Sequence, residues 1–270
     1  MAGTSAGPEP AEVRQQRIAA LVEEQGFVRV SALSERFGVS TVTVRTDLQS
    51  LESHGRVRRI RGGAMPPDVE HAEQPFEIAE RDLVVEKAAI GRHAAGLVSD
   101  GDTVLLDVGT TTTAIARALV ARAELREVTV VTNGLTVALV LERAWPRITV
   151  VVTGGTLRRL QHSLVNPYGT VLLERLNASI AFIGCNGVDV RGGVTNVNLP
   201  EAEVKRAMLL AARRPVVVAD GTKLGEVEVA KICELHELSL VITDVSADPS
   251  ILADLAAVDC DVRVAEGGPG

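Results

Sequence analysis

Aromatic residues are nearly missing from this 270-residue sequence, which has one Trp, one Tyr and four Phe. A buried core must therefore rest on Val, Leu, Ile and Ala, and at 46% hydrophobic the chain has enough of them. No apolar run reaches the roughly 18 residues of a membrane span, so no membrane partner is expected. The opening residues, MAGTSAGPEPAEVRQQ, contain no apolar segment, and no signal peptide is expected. Cysteine is scarce. Cys185, Cys233 and Cys260 are odd in number and far apart, which excludes a disulfide framework and fits a reducing compartment. The histidines at 54, 71, 93, 162 and 236 lack ligand spacing. These shortages predict a cytoplasmic protein with no metal and no cofactor.

The net charge of -7 speaks against a nucleic-acid partner until it is divided along the chain. Residues 1–65 hold nine Arg and no Lys against seven acids, a balance of +2, and the remainder carries -9. Arg56, Arg58, Arg59 and Arg61 fall within one hexapeptide. A basic end on an acidic body is the distribution of a DNA-binding module joined to a ligand domain.

Residues 1–10 are rich in Gly, Pro, Ala and Ser and read as a disordered tail. Ile18, Leu21 and Val22 share one helical face, and Gly26 stops that run. Val28 and Val30 flank Arg29 in a short strand-like alternation. Ser31 is placed to cap a brief helix carrying Leu33 and Phe37, and Gly38 permits a tight turn. Ser40 caps a third helix whose apolar stripe is Val44, Leu48 and Leu51. Its other face presents Thr41, Val42, Arg45, Thr46 and Gln49. These are helix-turn-helix proportions, with the third helix destined for the major groove. Arg45 can contact guanine bidentately or clamp a phosphate. Arg58, Arg59 and Arg61 suit a wing lying on the DNA backbone.

The reading divides the chain into a winged helix-turn-helix at 11–65, a linker at 66–76 and an effector-binding α/β domain at 77–265. In the last, a helical stretch at 77–98 precedes Val/Ile-rich runs at 103–107, 128–132, 148–153, 179–184, 215–220, 238–243 and 261–265. Helical patterns at 112–122, 134–143, 201–213 and 249–257 alternate with them. Continuous apolar runs of this kind are buried parallel strands of an open sheet.

Three loops at strand ends invite an anion: DVGTTTT at 107–113, Thr132-Asn133-Gly134 and Thr153-Gly154-Gly155-Thr156. In the first, Gly109 allows close backbone approach, and Thr110–Thr112 offer N–H and hydroxyl groups at a helix N-terminus. Neither GxxxxGK[ST] nor GxGxxG is present. Glu201 and Lys205, spaced i, i+4, read either as a surface salt bridge or as site residues. Asp220 and Lys223 read either as an ordinary turn or as part of the same site. In the sharper reading Lys205 or Lys223 neutralises a phosphate while Asp107, Glu201 or Asp220 accepts sugar hydroxyls. Cys185 reads as a small loop residue. GTSAG at 3–7 and the sequon at Asn177 read as chance matches.

The string LSERFGVSTVTVRTDLQSLESHGRVRRIRGGA, residues 33–64, resembles the DeoR family of bacterial regulators. The residues that carry the likeness are Val39-Ser40, Thr43, Val44, Arg45, Asp47-Leu48, Leu51-Glu52, Gly55, Arg58 to Arg61 and Gly62-Gly63. Thr46 departs from it, since members often carry a second Arg there. Residues 76–245 resemble the family's sensor domain through Glu86-Lys87, Asp107 to Thr111, Thr132-Asn133, Gly154-Gly155, Gly184 to Gly187, Glu201 to Lys205 and Asp220 to Lys223. The resemblance covers about nine-tenths of the chain. It implies a fold similar to ribose-5-phosphate isomerase and the CoA transferases, with a phosphorylated sugar as effector. The expected function is an effector-controlled repressor of a carbohydrate operon, bound as a dimer or tetramer to double-stranded operator DNA. Ser40, Thr41, Thr43, Arg45, Thr46, Gln49, Arg58, Arg59 and Arg61 are its expected DNA contacts. Asp107, Gly109, Thr110, Thr111, Asn133, Gly154, Gly155, Glu201, Lys205, Asp220 and Lys223 are its expected effector contacts. The alternative is a sugar-phosphate isomerase with an appended DNA-binding module, in which Asp107, Glu201 or Asp220 acts as general base.

Overall fold

A computed structural model of the chain describes residues 10–54, 56–60, 62–66 and 73–267. Residues 1–9 of the expected tail, residues 67–72 of the expected linker, Gly55 and Arg61 lie outside the described residues. The chain forms two compact units, Met1–Ile78 and Ala79–Gly270.

The first unit contains α1 (Ala11–Gln25), β1 (Val28–Arg29), α2 (Val30–Phe37), α3 (Thr41–Ser53), β2 (Arg58–Ile60) and β3 (Gly63–Met65). Ile18, Val22, Leu33, Val44, Leu48 and Leu51 close its core. Gly38 turns the chain between α2 and α3 at φ 62°, its N–H returning to the Ser34 carbonyl. Ser40 caps α3, its Oγ accepting the Thr43 N–H at 3.1 Å. Ser31 is not a cap: α2 begins at Val30 with Arg29 before it and no side-chain cap, because the strand hands over directly to the helix. β2 and β3 form the antiparallel wing, and β1 joins β3 on its other side.

A buried ion pair fastens this unit. Arg14 Nε lies 2.6 Å from Asp47 Oδ2, and Arg14 Nη2 donates to Oδ1 at 3.1 Å. Gln15 Nε2 adds a third hydrogen bond to Oδ1, at 3.0 Å. All three bonds run from α1 to the inner face of α3, between residues 32 or 33 positions apart.

In the second unit a seven-stranded sheet is built from β4 (Thr103–Leu106), β5 (Val128–Thr132), β6 (Ile148–Val152), β9 (Ile180–Gly184), β12 (Pro215–Val218), β14 (Leu240–Asp244) and β15 (Val262–Ala265). Its order is β15-β14-β12-β9-β4-β5-β6, and every pairing is parallel. The chain leaves the central β4 towards β6, then returns to the other side of β4 at β9. The connections therefore reverse direction between β4 and β9, where an open α/β sheet forms a crevice at its carboxyl ends.

Alternation along the strands divides the core in two. Val104, Leu106, Val130, Phe182 and Val218 pack with Ile90 of α5 (Val84–Ala95), Ile115 and Leu119 of α6 (Thr110–Ala121), and Leu141 of α7 (Leu135–Leu141). Leu105, Val131, Ile183, Val217 and Val241 pack with Leu173 of α8 (Tyr168–Leu173), Met208 of α9 (Leu199–Leu210), and Leu255 of α10 (Pro249–Ala256). The stretch expected as one helix at 77–98 is broken. α4 (Phe76–Ala79) ends before a turn, and α5 starts anew after Leu83, which sits at φ 52°. Lys87 Nζ fixes that turn by donating to the Ala79 and Asp82 carbonyls at 2.6 and 2.9 Å. A hairpin of β7 (Thr156–Arg158) with β8 (Ser163–Val165), and a small antiparallel sheet of β10 (Gly187–Asp189), β11 (Gly193–Asn196) and β13 (Ala230–Cys233), complete the unit.

Removing one partner of a buried ion pair strands the other charge. Asp47→Ala is therefore expected to lower the stability of the first unit by about 3 kcal/mol. Urea unfolding followed by amide exchange at α1 and α3 measures it; unchanged protection there would show that the pair contributes nothing net.

Candidate functional site

α3 presents Thr41, Val42, Arg45, Thr46 and Gln49 to solvent and buries Val44, Asp47, Leu48 and Leu51. Thr43 sits half-buried, its hydroxyl paired with that of Ser40 at 2.9 Å, so both hydroxyls serve the cap. The Thr46 hydroxyl donates back to the Val42 carbonyl at 3.1 Å. On the wing, Arg58 and Arg59 are exposed, and Arg61 lies outside the described residues. Arg59 is held by Glu52 of α3: its N–H reaches Oε1 at 2.9 Å and its Nε reaches Oε2 at 2.6 Å. Those two hydrogen bonds, backbone first, pull the Glu52 carboxyl below its ordinary pKa. Between helix and wing lies a cleft of about 340 Å³ lined by Val30, Arg45, Leu48, Arg59, Ile60, Gly62 and Gly63. Of the expected contact residues, Arg45 of α3 and Arg59 of β2 thus line one cleft.

The second site is built at the carboxyl ends of the parallel strands. Asp107, directly after β4, is fully buried. Its Oδ2 accepts from Lys205 Nζ and from the Gly184 N–H, the latter at 3.1 Å. Lys205 also donates to the Gly184 carbonyl at 3.1 Å. Burial works against the Lys205 charge, and the nearby Asp107 and Glu201 carboxylates outweigh it, raising the ammonium pKa. Asp107 Oδ1 is buried and has no hydrogen-bond partner among the described residues. Asn133, after β5, is buried too, its Oδ1 accepting the Val108 N–H at 2.9 Å. The loops after β4, β5 and β9 are thereby tied together across the point where the chain reverses.

The i, i+4 pair Glu201–Lys205 is not a surface salt bridge. Both side chains are buried and take other partners: Lys205 takes Asp107, and Glu201 takes Arg158 of β7 together with the Ser163 hydroxyl of β8. The hairpin therefore closes over α9. Arg158 and Ser163 are the partners of Glu201 that sequence reading missed; three-residue strands carry no periodic signal, and Glu201 lies about forty positions away.

At the first turn of α6, the Thr112 and Thr113 hydroxyls donate to the Gly109 carbonyl at 3.0 and 2.7 Å. Thr112 thus spends its hydroxyl on the turn and leaves Thr110 and Thr111 beside the loop. Gly109 itself is at φ 135°. Gly155 serves packing in the structure. At φ 128°, a Cβ there would lie 2.1 Å from the Val165 carbonyl oxygen, so only glycine lets β8 approach so closely. Gly154 precedes it at the same bend, at φ 75°. Asp220 does form the ordinary turn, accepting the Thr222 N–H at 3.2 Å. It nonetheless shares the site's field. The charges of Lys205, Asp220, Lys223 and Asp107 all act on Cys185, whose thiol is pushed up to about 12, chiefly by burial. Lys87 belongs to the same cluster, its pKa lowered by burial while Asp220 and Lys223 act on it in opposite senses. Among the described residues no carboxylate lies within ion-pair reach of Lys223, and no group of His, Cys, Asp and Glu could hold a metal ion.

Residues 14–69 match the DeoR-like helix-turn-helix domain, and residues 83–245 match the DeoR C terminal sensor domain. The chain belongs to the DeoR family. It is 36% identical over 239 residues to the HTH-type transcriptional regulator GlpR of Haloferax volcanii, covering 88% of this chain and 91% of that protein. It is 31% identical over 233 residues to the lactose phosphotransferase system repressor of Staphylococcus aureus strain N315, covering 86% and 91%. Among solved structures it is similar to ribose 5-phosphate isomerase A of Methanocaldococcus jannaschii, with a TM-score of 0.38 and 20% identity over 51% of this chain and 52% of that one. A DeoR-family transcriptional regulator pairs the two units described: a helix-turn-helix and an α/β sensor domain. No helix among the described residues is long and apolar enough to cross a membrane.

In this DeoR-family sensor domain, Lys205→Met leaves Asp107 buried without its counter-charge and is expected to cost about 3 kcal/mol. The double variant Asp107→Leu/Lys205→Met is expected to regain most of that loss. Chemical denaturation of the three proteins decides it. A double variant no more stable than the single one would show that the pair is not the strut of this site.

Proposed function

We propose that the chain represses a carbohydrate operon and that a phosphorylated sugar bound to its sensor domain controls operator binding. The observation that carries this reading is the convergence, at the sheet's reversal point, of a helix N-terminus, cationic side chains and a buried carboxylate oxygen with no partner among the described residues. A phosphate fits the first turn of α6, where Thr110 and Thr111 offer N–H and hydroxyl groups and Lys223 offers charge. Lys205 is committed to Asp107 and is a positioning residue in this reading. Asp107 Oδ1 is an acceptor for a sugar hydroxyl, and Asn133 fixes the loop between the two ends. Glu201 holds the β7–β8 hairpin over the site, while Gly154 and Gly155 shape its bend. A relative named for a lactose phosphotransferase system supports a sugar-derived ligand.

At the other end, Arg45, Thr41, Thr46 and Gln49 face the bases and phosphates of the major groove. Ser40 and Thr43 set the start of the helix, and Arg58 lies on the backbone. Arg59 acts mainly by bracing the wing. One helix-turn-helix makes a small interface, so a dimer or tetramer on two half-sites supplies the affinity. The isomerase alternative loses ground because Asp107, Glu201 and Asp220 are each engaged in an ion pair, hydrogen bonds or a turn.

A thermal-shift screen of aldose and ketose phosphates against their unphosphorylated sugars tests the effector. At a ligand concentration 100 times Kd, stabilisation of about 2.7 kcal/mol is expected. Lys223→Ala and Thr110→Val are expected to lose that response and keep operator binding; a normal response in both would show that the pocket is misassigned. Arg45→Ala is expected to weaken operator binding by about 1–3 kcal/mol in a gel-shift titration with folding intact. Unchanged affinity would remove Arg45 from the contact face.

A further inference from the structure

The phase of the β5–β6 ladder is fixed by a bond at each end: Val128 N–H to the Arg147 carbonyl at 3.2 Å, and Thr153 N–H to the Thr132 carbonyl at 3.0 Å. Alternate residues of a strand turn both N–H and C=O to the same side. Arg147, Thr149, Val151 and Thr153 therefore serve β5, and Ile148, Val150 and Val152 turn their backbone groups outward. Among the described residues no strand pairs with that outer side.

An open edge of this kind is ordinarily guarded by charge, proline or a bulge. The opposite edge of the same sheet has such a guard: Arg263 on β15 is exposed and 3.7 Å from Asp261. β6 has none. No charged residue and no proline occurs from Ile148 to Thr156. Arg147 does not defend it either, because its guanidinium turns inward to the Arg122 and Val120 carbonyls at 2.9 and 3.2 Å. Its own exposed side chains are apolar instead, Val151 on one face and Val152 on the other, and Leu157 and Tyr168 are exposed in the segments that follow. The backbone next to Tyr168 reaches the end of this strand, since Gly169 lies against Thr153 and Gly154.

We infer that β6 is the subunit interface and that its occupant is β6 of a second copy, paired antiparallel about a two-fold axis at Val150. An uncharged strand is complementary to itself, which is what an isologous interface requires. At this register, Val150 exchanges both backbone hydrogen bonds with the partner subunit's Val150. Ile148 meets the partner subunit's Val152, and Thr149 lies beside the partner subunit's Val151 on one face. The inference rests on the two-half-site reading above and names the surface that serves it.

Sedimentation velocity on the full chain, over a concentration series, tests it with two variants. Val150→Pro removes an outward N–H that the β5 ladder does not use, and proline is tolerated at edges. Val151→Lys places like charges on the exposed face of the joint. Each is expected to raise the dissociation constant of the assembly about tenfold or more, taking dimer to monomer or tetramer to dimer, with circular dichroism unchanged. An assembled wild type whose constant is the same in both variants overturns the β6 interface and leaves the two-half-site reading standing. A wild type that is monomeric while bound to a single half-site overturns both. If Val150→Pro does not fold, Val151→Lys alone decides.

Discussion

The sensor domain depends on one ion pair placed where its sheet changes direction. Moving a lone ammonium or carboxylate into a protein interior costs several kcal/mol, so neither Lys205 nor Asp107 can be buried without the other. Each is nearly fully buried. Their union brings together the end of β4, the end of β9 through both polar groups of Gly184, and the middle of α9. Two of these segments are 98 residues apart in sequence. The reversal point follows from topology, but the joining of the segments around it follows from this pair. Asn133 then adds the β5 loop, and Glu201 adds the hairpin one helical turn from Lys205.

The same economy governs the other end of the chain, and it revises the simple account of its arginines. Basic residues there are not all turned towards an anion. Arg14 is buried against Asp47, and Arg59 is bound along its backbone and side chain by Glu52. Both fix geometry: the first sets α1 against α3, and the second sets the wing against α3. Arg45 extends from the frame they make. An acidic residue beside a DNA-binding face is usually a liability. Here Glu52 spends its charge on the wing, and its lowered pKa is the signature of that bond.

Much of this was readable before the fold was known. β5 runs from Val128 to Thr132 as its apolar run predicts, and Ser40 caps α3 as its position predicts. These features depend on neighbours in sequence. What could not be read depends on neighbours in space. The spacing of Glu201 and Lys205 is that of a helix-surface pair, and local rules describe it so; their true partners come from β4 and from the hairpin. Asp47 matches a family position without disclosing that it is buried. The break at 80–83 within an apparently helical stretch is held by Lys87 through two carbonyls, a contact that no periodicity contains. The hairpin and the small antiparallel sheet escaped because strands of three or four residues, with Thr, Arg and Gly among them, have no alternation long enough to detect.

Under the proposed reading, the Asp107 oxygen that has no partner among the described residues sets the ligand's selectivity. A buried acceptor left without a hydrogen bond costs about 1–3 kcal/mol, and only a donor can return it. A hydroxyl on the ligand does so; a bare carbonyl or a second anion does not, and the anion also meets the carboxylate's charge. Phosphate alone would satisfy the α6 terminus and Lys223 but leave this oxygen as it is. A ligand that joins both ends therefore gains over one that reaches either, and the gain exists only while the three loops are held together. Under the proposed reading, such a ligand controls the helix-turn-helix only if it binds the state with an intact Lys205–Asp107 strut more tightly than any other.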